Sequence, residues 1–217
     1  DLNVRRVERV IVYEGKKKQL VWVNAGTGKN RINRAPTKHD LSLVQEIDRQ
    51  QIPTWFPIDE IDSDGYSATL AQLGAKAITD ISRFLSKRNL MIYSDLWSRI
   101  NELQDTATRN LCLGALSSIF TVVSERQGYF GGGGGMSGNL YMPIVRMEKN
   151  IFDTLRRKVK KLEEAEKNKQ QQITSTAVTT QSLTSIRQIS DSSIDYIFTD
   201  PPFGANIIYS EMNLLLE

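Results

Sequence analysis

The sequence is short of the residues that make covalent or metal cross-links. It holds one cysteine, Cys112, and one histidine, His39. A disulfide framework is excluded, and two such residues cannot furnish a Cys/His metal site. No metal is expected. Cys112 lies in the apolar run 111–116, which suits a buried core thiol rather than a nucleophile. Long apolar runs are also missing. None approaches the roughly 18 residues that a membrane span needs. Residues 1–9 are charged and lack the apolar core of a signal peptide. A cytoplasmic protein with no membrane association is expected, and the scarcity of cysteine fits a reducing compartment. No internal repeat is present.

What is there is an ordinary globular composition of 217 residues, 40% hydrophobic and 24% charged, enough for one or two domains with a core. The net charge of +3 is unevenly placed. Residues 1–38 hold ten Lys/Arg against three Asp/Glu, while residues 39–75 hold seven acids against Arg49. Such asymmetry suits a basic face turned toward phosphate, and equally a solvated, lysine-rich strand and turn.

Along the chain, residues 10–13 and 19–23 read as two short strands around the turn at 14–18. The Gly-, Asn- and Arg-rich stretch 24–37 reads as a loop. A helix with Asp40 as its N-cap is expected over 40–50. Pro53 and Pro57 bracket a segment that cannot be regular helix. From 69 to 125 the pattern is helical. Leu70, Leu73, Ala77, Ile81, Phe84 and Leu85 share one spacing, Leu96, Ile100 and Leu103 another, and 111–123 is apolar almost all round, as in a buried helix. Five glycines, 131–135, suit no regular element. A strand is expected within 139–147, a long basic helix over 149–172, and strand-like character over 173–180. Residues 195–199 read as a short buried strand, and 212–217 as the start of a helix. The expected organisation is a basic β/loop segment with a short helix at 1–50, a helical insertion at 51–128, and a third segment at 129–217.

The third segment carries the chemistry. In Ile194-Asp195-Tyr196-Ile197-Phe198-Thr199-Asp200-Pro201-Pro202-Phe203-Gly204, an apolar strand ends in an acid, two prolines, an aromatic and a glycine. With proline at about 5% of residues, an Asp-Pro-Pro-aromatic string in this length is roughly a one-in-several-hundred event. In open α/β sheets, ligands bind beyond the carboxyl ends of strands, where this loop would fall. Methylation of an exocyclic amine makes use of such a loop. The nitrogen lone pair is delocalised into the base, so a site must accept hydrogen bonds from the N–H groups while the lone pair turns toward the methyl donor. The Asp200 carboxylate offers one acceptor and the Pro201 carbonyl a second. Proline disfavours helical geometry at Asp200, and Pro201 and Pro202 fix φ, so the acceptors are pre-organised. Phe203 offers a flat face for an extruded base. The competing reading is a strand ending in a proline turn with Phe203 in the core.

The string Thr199-Asp200-Pro201-Pro202-Phe203-Gly204, followed by Tyr209-Ser210-Glu211-Met212-Asn213, resembles the large bacterial and archaeal proteins of the DNA methylase N-4/N-6 type. So do Lys87-Arg88-Asn89-Leu90, the glycine run ending Met136-Ser137-Gly138, and Leu140-Tyr141-Met142-Pro143. The similarity runs from about Trp55 onward. It implies an α/β fold: part of a Rossmann-like methyltransferase sheet with a largely helical insertion. It also implies S-adenosylmethionine as methyl donor and DNA as substrate, within a modification system that has companion restriction or defence subunits. Carried over, Asp200 and Pro201 hold the target amine, Pro202 stiffens the loop, and Phe203 stacks on the base beside Gly204 and Tyr209. Asp200 at the first position leans toward adenine N6 over cytosine N4. Similar loops also act on RNA, and a non-catalytic nucleic-acid-binding module is the remaining alternative.

The family's cofactor motif is a strand running into a Phe-x-Gly-x-Gly turn. Phe130-Gly131-Gly132-Gly133-Gly134 matches as a string, but residues 124–129 are polar and do not read as a buried strand. A substrate-side loop is the expectation there. The cofactor loop is expected outside these residues, and the chain alone is expected to be inactive. Thr199, Asp200, Gln181 and Ser182 are the candidate cofactor contacts within the chain. Gly26-Thr27-Gly28-Lys29 fails as a phosphate loop, because Val23 and Asn30 stand where glycine and Ser/Thr are required. Arg156, Arg157, Lys158, Lys160 and Lys161 read either as a track for DNA phosphates or as a solvated helix face.

Overall fold

A computed structural model describes residues 8–14, 17–26, 30, 32–61, 80–130, 133–136, 142–143, 145–169, 182, 184, 186 and 188–201. The chain is mixed α/β. Its strands are β1 (Glu8–Glu14), β2 (Lys17–Ala25), β3 (Ile32–Arg34), β4 (Gln127–Phe130), β5 (Gly133–Met136) and β6 (Val145–Glu148). They run in the order β3-β2-β1-β6-β4-β5, and every described pairing is antiparallel. The β6–β4 joint is a single residue pair, Gly128 with Arg146, so the sheet is nearly two: β3-β2-β1-β6 and the β4–β5 hairpin.

The β1–β2 pair forms where the two short apolar runs predict it, with a register irregularity between Val10 and Ile11. The stretch expected to be all loop after β2 instead supplies β3, an edge strand paired to Val23, Asn24 and Ala25. Helix α1 (Lys38–Arg49) starts two residues earlier than expected. Its N-cap is Thr37, whose hydroxyl accepts from the Asp40 N–H at 3.2 Å, while Asp40 accepts from the Thr37 N–H at 2.7 Å. Asp40 therefore closes a capping box from the third helical position. Arg34 grips the same carboxylate at 2.6 Å, which ties β3 to α1 and holds Asp40 well below the usual carboxylate range.

Residues 51–59 are irregular, as Pro53 and Pro57 require. Of the first expected helix, residues 62–79 lie outside the described set. Residues Ile81–Phe84 form one 3-10 turn that ends before Ser86. Ser86 then caps α2 (Lys87–Asn101), and Asp105 caps α3 (Thr106–Val123) by accepting from the Thr108 N–H at 2.8 Å. Residues 111–123, which read as a buried helix, lie within α3 and bury one face only, with Gly114 and Ser118 exposed. Ala115, Leu116, Ile119, Phe120 and Val123 face the core, whereas Leu111 is exposed and Cys112 half-buried. The last helix, α4 (Ile151–Lys169), follows β6 and packs on α3.

The core lies among the 3-10 turn, α2, α3 and the start of α4. It contains Phe84, Leu90, Tyr93, Leu116, Phe120, Val123, Met142 and Ile151. Tyr93 meets Phe120 edge-on at 5.5 Å, and burial pushes its hydroxyl up to about 12. Asn89 ties the elements together. Its amide donates to the Val123 carbonyl at 2.9 Å and to the Lys149 carbonyl at 3.0 Å, so α2 holds both the end of α3 and the β6–α4 junction.

Beneath this core lies a buried polar layer that the sequence did not announce. Ser124, Glu125, Arg126 and Gln127 are all buried, although their polarity argues against a buried strand. Arg146 on β6 pairs with Glu125 at 2.7 Å, Arg88 on α2 with Glu148 at 2.6 Å, and the Lys149 ammonium donates to Gln127 at 3.0 Å. Arg146 also donates to the Pro143 carbonyl. Burial lowers the Arg126 guanidinium from its ordinary value. Charges distributed over 88, 125, 146 and 148 leave no periodic mark in a sequence, so only the fold reveals their pairing.

Candidate active-site segment

The motif segment has none of the burial that its composition suggests. Residues 188–201 form turns and irregular chain without a helix or strand, and all are exposed. A turn closes at its start, where the Ser193 hydroxyl donates to the Ser190 carbonyl at 2.7 Å and Ser192 adopts a left-handed φ of 60°. Then follow Ile194, Tyr196, Ile197 and Phe198, with Tyr196 and Phe198 each 80% exposed and Ile197 74%. The expected buried strand at 195–199 is therefore corrected. A strand needs a ladder partner, and no described strand pairs with this segment.

Thr199, Asp200 and Pro201 continue outward into solvent. Asp200 and Pro201 are both exposed and belong to no helix or strand. Pro202, Phe203, Gly204 and Tyr209 lie outside the described residues, as does Gln181. Ser182 is exposed, and its hydroxyl shares a 2.8 Å hydrogen bond with Thr184. Of the candidates, Thr199, Asp200, Pro201 and Ser182 are described, and all four are exposed.

The glycine run is also corrected. Gly133–Met136 is a strand, β5, with Phe130 opposite Gly133 and Gln127 opposite Met136. Gly131 and Gly132 lie outside the described residues. Two paired antiparallel strands are not the strand followed by a helix whose N-terminus would meet a cofactor.

A separate cavity of about 570 Å³ opens between β2, α1, the 52–58 segment and the start of α2. Leu20, Ile52, Phe56, Leu85 and Leu90 form its apolar walls, and Asp48, Arg83 and Lys87 its polar ones. None of the sequence-predicted site residues lines it. Trp55 and Trp97 lie 6.4 Å apart, with Trp55 largely exposed. Among the described residues no cluster of three or more His, Cys, Asp or Glu could hold a metal ion. None of their helices is long and apolar enough to cross a membrane.

Comparison with known proteins gives no further placement: no family model, no curated protein and no solved structure matches the chain.

Proposed function

We propose that the chain carries the base-holding half of an S-adenosylmethionine-dependent DNA amino-methyltransferase. One feature carries the proposal: an apolar segment, 194–198, delivers Asp200-Pro201-Pro202-Phe203 at its carboxyl end. The resemblance of this string to the DNA methylases of the N-4/N-6 type supports it. The exposure of Ile194, Tyr196, Ile197 and Phe198 supports it as well. Covering a side chain of that size contributes about 1.5–3 kcal/mol. So many exposed in five positions mark a segment built to be enclosed. The enclosing structure in the proposal is a Rossmann-like methyltransferase sheet that would cover these side chains.

The transferred methyl would come from the cofactor sulfonium. The part played by this chain is acceptor chemistry. Asp200 and the Pro201 carbonyl accept from the two N–H groups of an exocyclic amine. That fixes the plane of the hydrogens and frees the nitrogen lone pair for attack along the remaining direction. Pro201 and Pro202 hold the acceptors in place before the base arrives, so little ordering cost falls at the reacting step. Phe203 stacks on the extruded base. Adenine N6 is the favoured target. The setting is a cytoplasmic modification system with companion restriction or defence subunits.

Mass spectrometry of DNA and RNA nucleosides from cells with and without the gene tests this. The expected result is a methylated adenine or cytosine in DNA that disappears with the gene. Loss of an RNA mark with unchanged DNA would replace DNA by RNA as the substrate.

A further inference from the structure

We propose that the outer face of α4 is a contact for the backbone phosphates of duplex DNA; this rests on the DNA-methyltransferase proposal for its choice of partner. Helix α4 anchors its first turn in the core through Ile151 and Thr154, with Leu155 packed against the same cluster. Its next residues turn outward. Arg156, Arg157, Lys160 and Lys161 are all exposed. In a helix of 3.6 residues per turn they form two adjacent rows, Arg156 above Lys160 and Arg157 above Lys161, each with a rise of about 6 Å.

This arrangement is unfavourable for the helix by itself. Both rows set like charges four residues apart, which opposes helix formation. The rows sit in the middle of a 19-residue helix, ahead of the last turn, where the helix dipole would favour cations. Asp153 answers only part of the charge: it pairs with Arg156 at 2.8 Å, and Arg157 donates to its backbone carbonyl at 3.2 Å. Lys160 and Lys161 form no ion pair among the described residues. Glu164 stands four residues beyond Lys160, in the less favourable order for such a pair, and is not paired with it. Four cations held on a rigid face, flanked by Asp153 one turn before them and by Glu163 and Glu164 one turn after, fit a polyanion whose charges also repeat on a rigid frame. Phosphate contacts of this kind set affinity and orientation without reading bases.

The test is binding of the full chain to a random-sequence DNA duplex over a range of salt concentrations. It compares the unmodified chain with the variant R156Q/R157Q/K160Q/K161Q, which keeps helix propensity nearly constant. If the four cations neutralise four phosphates, the slope of log affinity against log salt falls by about 3 to 4 in the variant. Equivalently, the unmodified chain loses about 100-fold more affinity than the variant between about 50 and 200 mM salt. A second variant, E163Q/E164Q/E166Q, removes neighbouring repulsion and is expected to bind more tightly, which keeps the test decisive if the first fails to fold. An unchanged slope in the folded first variant overturns the proposal. So does tighter binding of single-stranded RNA with the same dependence on these residues, absent DNA binding by the unmodified chain, or unaltered affinity in the glutamine-for-glutamate variant. Nucleoside methylation in cells is read separately. An altered slope without methylation sinks the enzyme proposal alone, and methylation with an unaltered slope sinks this one alone.

Discussion

Two short segments of this chain are opposites. Residues 124–127, Ser-Glu-Arg-Gln, are polar and buried, with Glu125 and Arg126 each 1% exposed. Ile194, Tyr196, Ile197 and Phe198 are apolar and half to four-fifths exposed. Judged by hydrophobicity alone, each is in the wrong place. The first is tolerated because its partners arrive with it: Arg146 for Glu125, the Phe84 carbonyl for the Glu125 N–H at 2.7 Å, and Lys149 for Gln127. No described strand pairs with the second. Polarity therefore reports what a segment is built to touch, and the fold decides whether the matching surface is present.

The contrast can be broken most forcefully on the buried side. Arg146→Ala leaves the Glu125 carboxylate in the interior without its guanidinium. Urea denaturation should show a loss of about 3–5 kcal/mol. Replacing both members, Glu125→Leu with Arg146→Met, should cost less than Arg146→Ala, because no lone charge remains. A double variant at least as damaged as the single one would mean that the pair does not act as a unit. Phe120→Ala removes an aromatic side chain from the centre of the core and should cost about 3–5 kcal/mol by the same measurement.

Smaller effects are expected at the β3–α1 corner. Thr37→Ala opens the capping box and should cost about 1 kcal/mol. Asp40 adds a pH dependence. Its folded pKa is depressed by Arg34 first and by Thr37 after it. That stabilisation is therefore complete above the unfolded carboxylate value of about 3.9 and lost as pH falls through the lower folded value. Asp40→Asn should remove this part of the acid limb of the stability curve. An unaltered acid limb would show that the Arg34 contact is not sustained in solution. The smallest effect belongs to the exposed segment: Phe198→Ala, at 80% exposure, should change the stability of the chain by under about 0.5 kcal/mol. A larger loss would mean that the segment packs on the body of the molecule.

Much of the body was legible. The β-branched and aromatic runs at 10–13 and 19–23 and the basic run before Glu163 located β1, β2 and α4 to within a few residues, whereas Leu96 and Ile100 fall in an α2 that starts at Lys87 and ends before Leu103. What could not be read depended on contacts distant in sequence. Asp40 looked like an N-cap, because Thr37 and Asp40 are both capping residues and only geometry shows which one starts the helix. Gly133-Gly134-Gly135 looked like a break, yet pairing with β4 makes it a strand without any help from side chains. The ion pairs of Arg88 and Arg146 join positions 60 and 21 residues apart, a separation at which local pattern is silent. At the candidate site the string Asp200-Pro201-Pro202-Phe203 was visible at once, since its meaning lies in residue chemistry. The irregular, exposed path of 194–199 was not, since strand formation depends on a neighbour.

The central claim is that Asp200 holds an exocyclic amine for methylation. It is tested most directly by returning the gene to deleted cells, with and without Asp200→Ala, and measuring methylated nucleosides in DNA by mass spectrometry. The predicted result is restoration of N6-methyladenine, or of N4-methylcytosine, by the unmodified gene and none by Asp200→Ala at equal protein level. Equal restoration by both, or by neither, would contradict it.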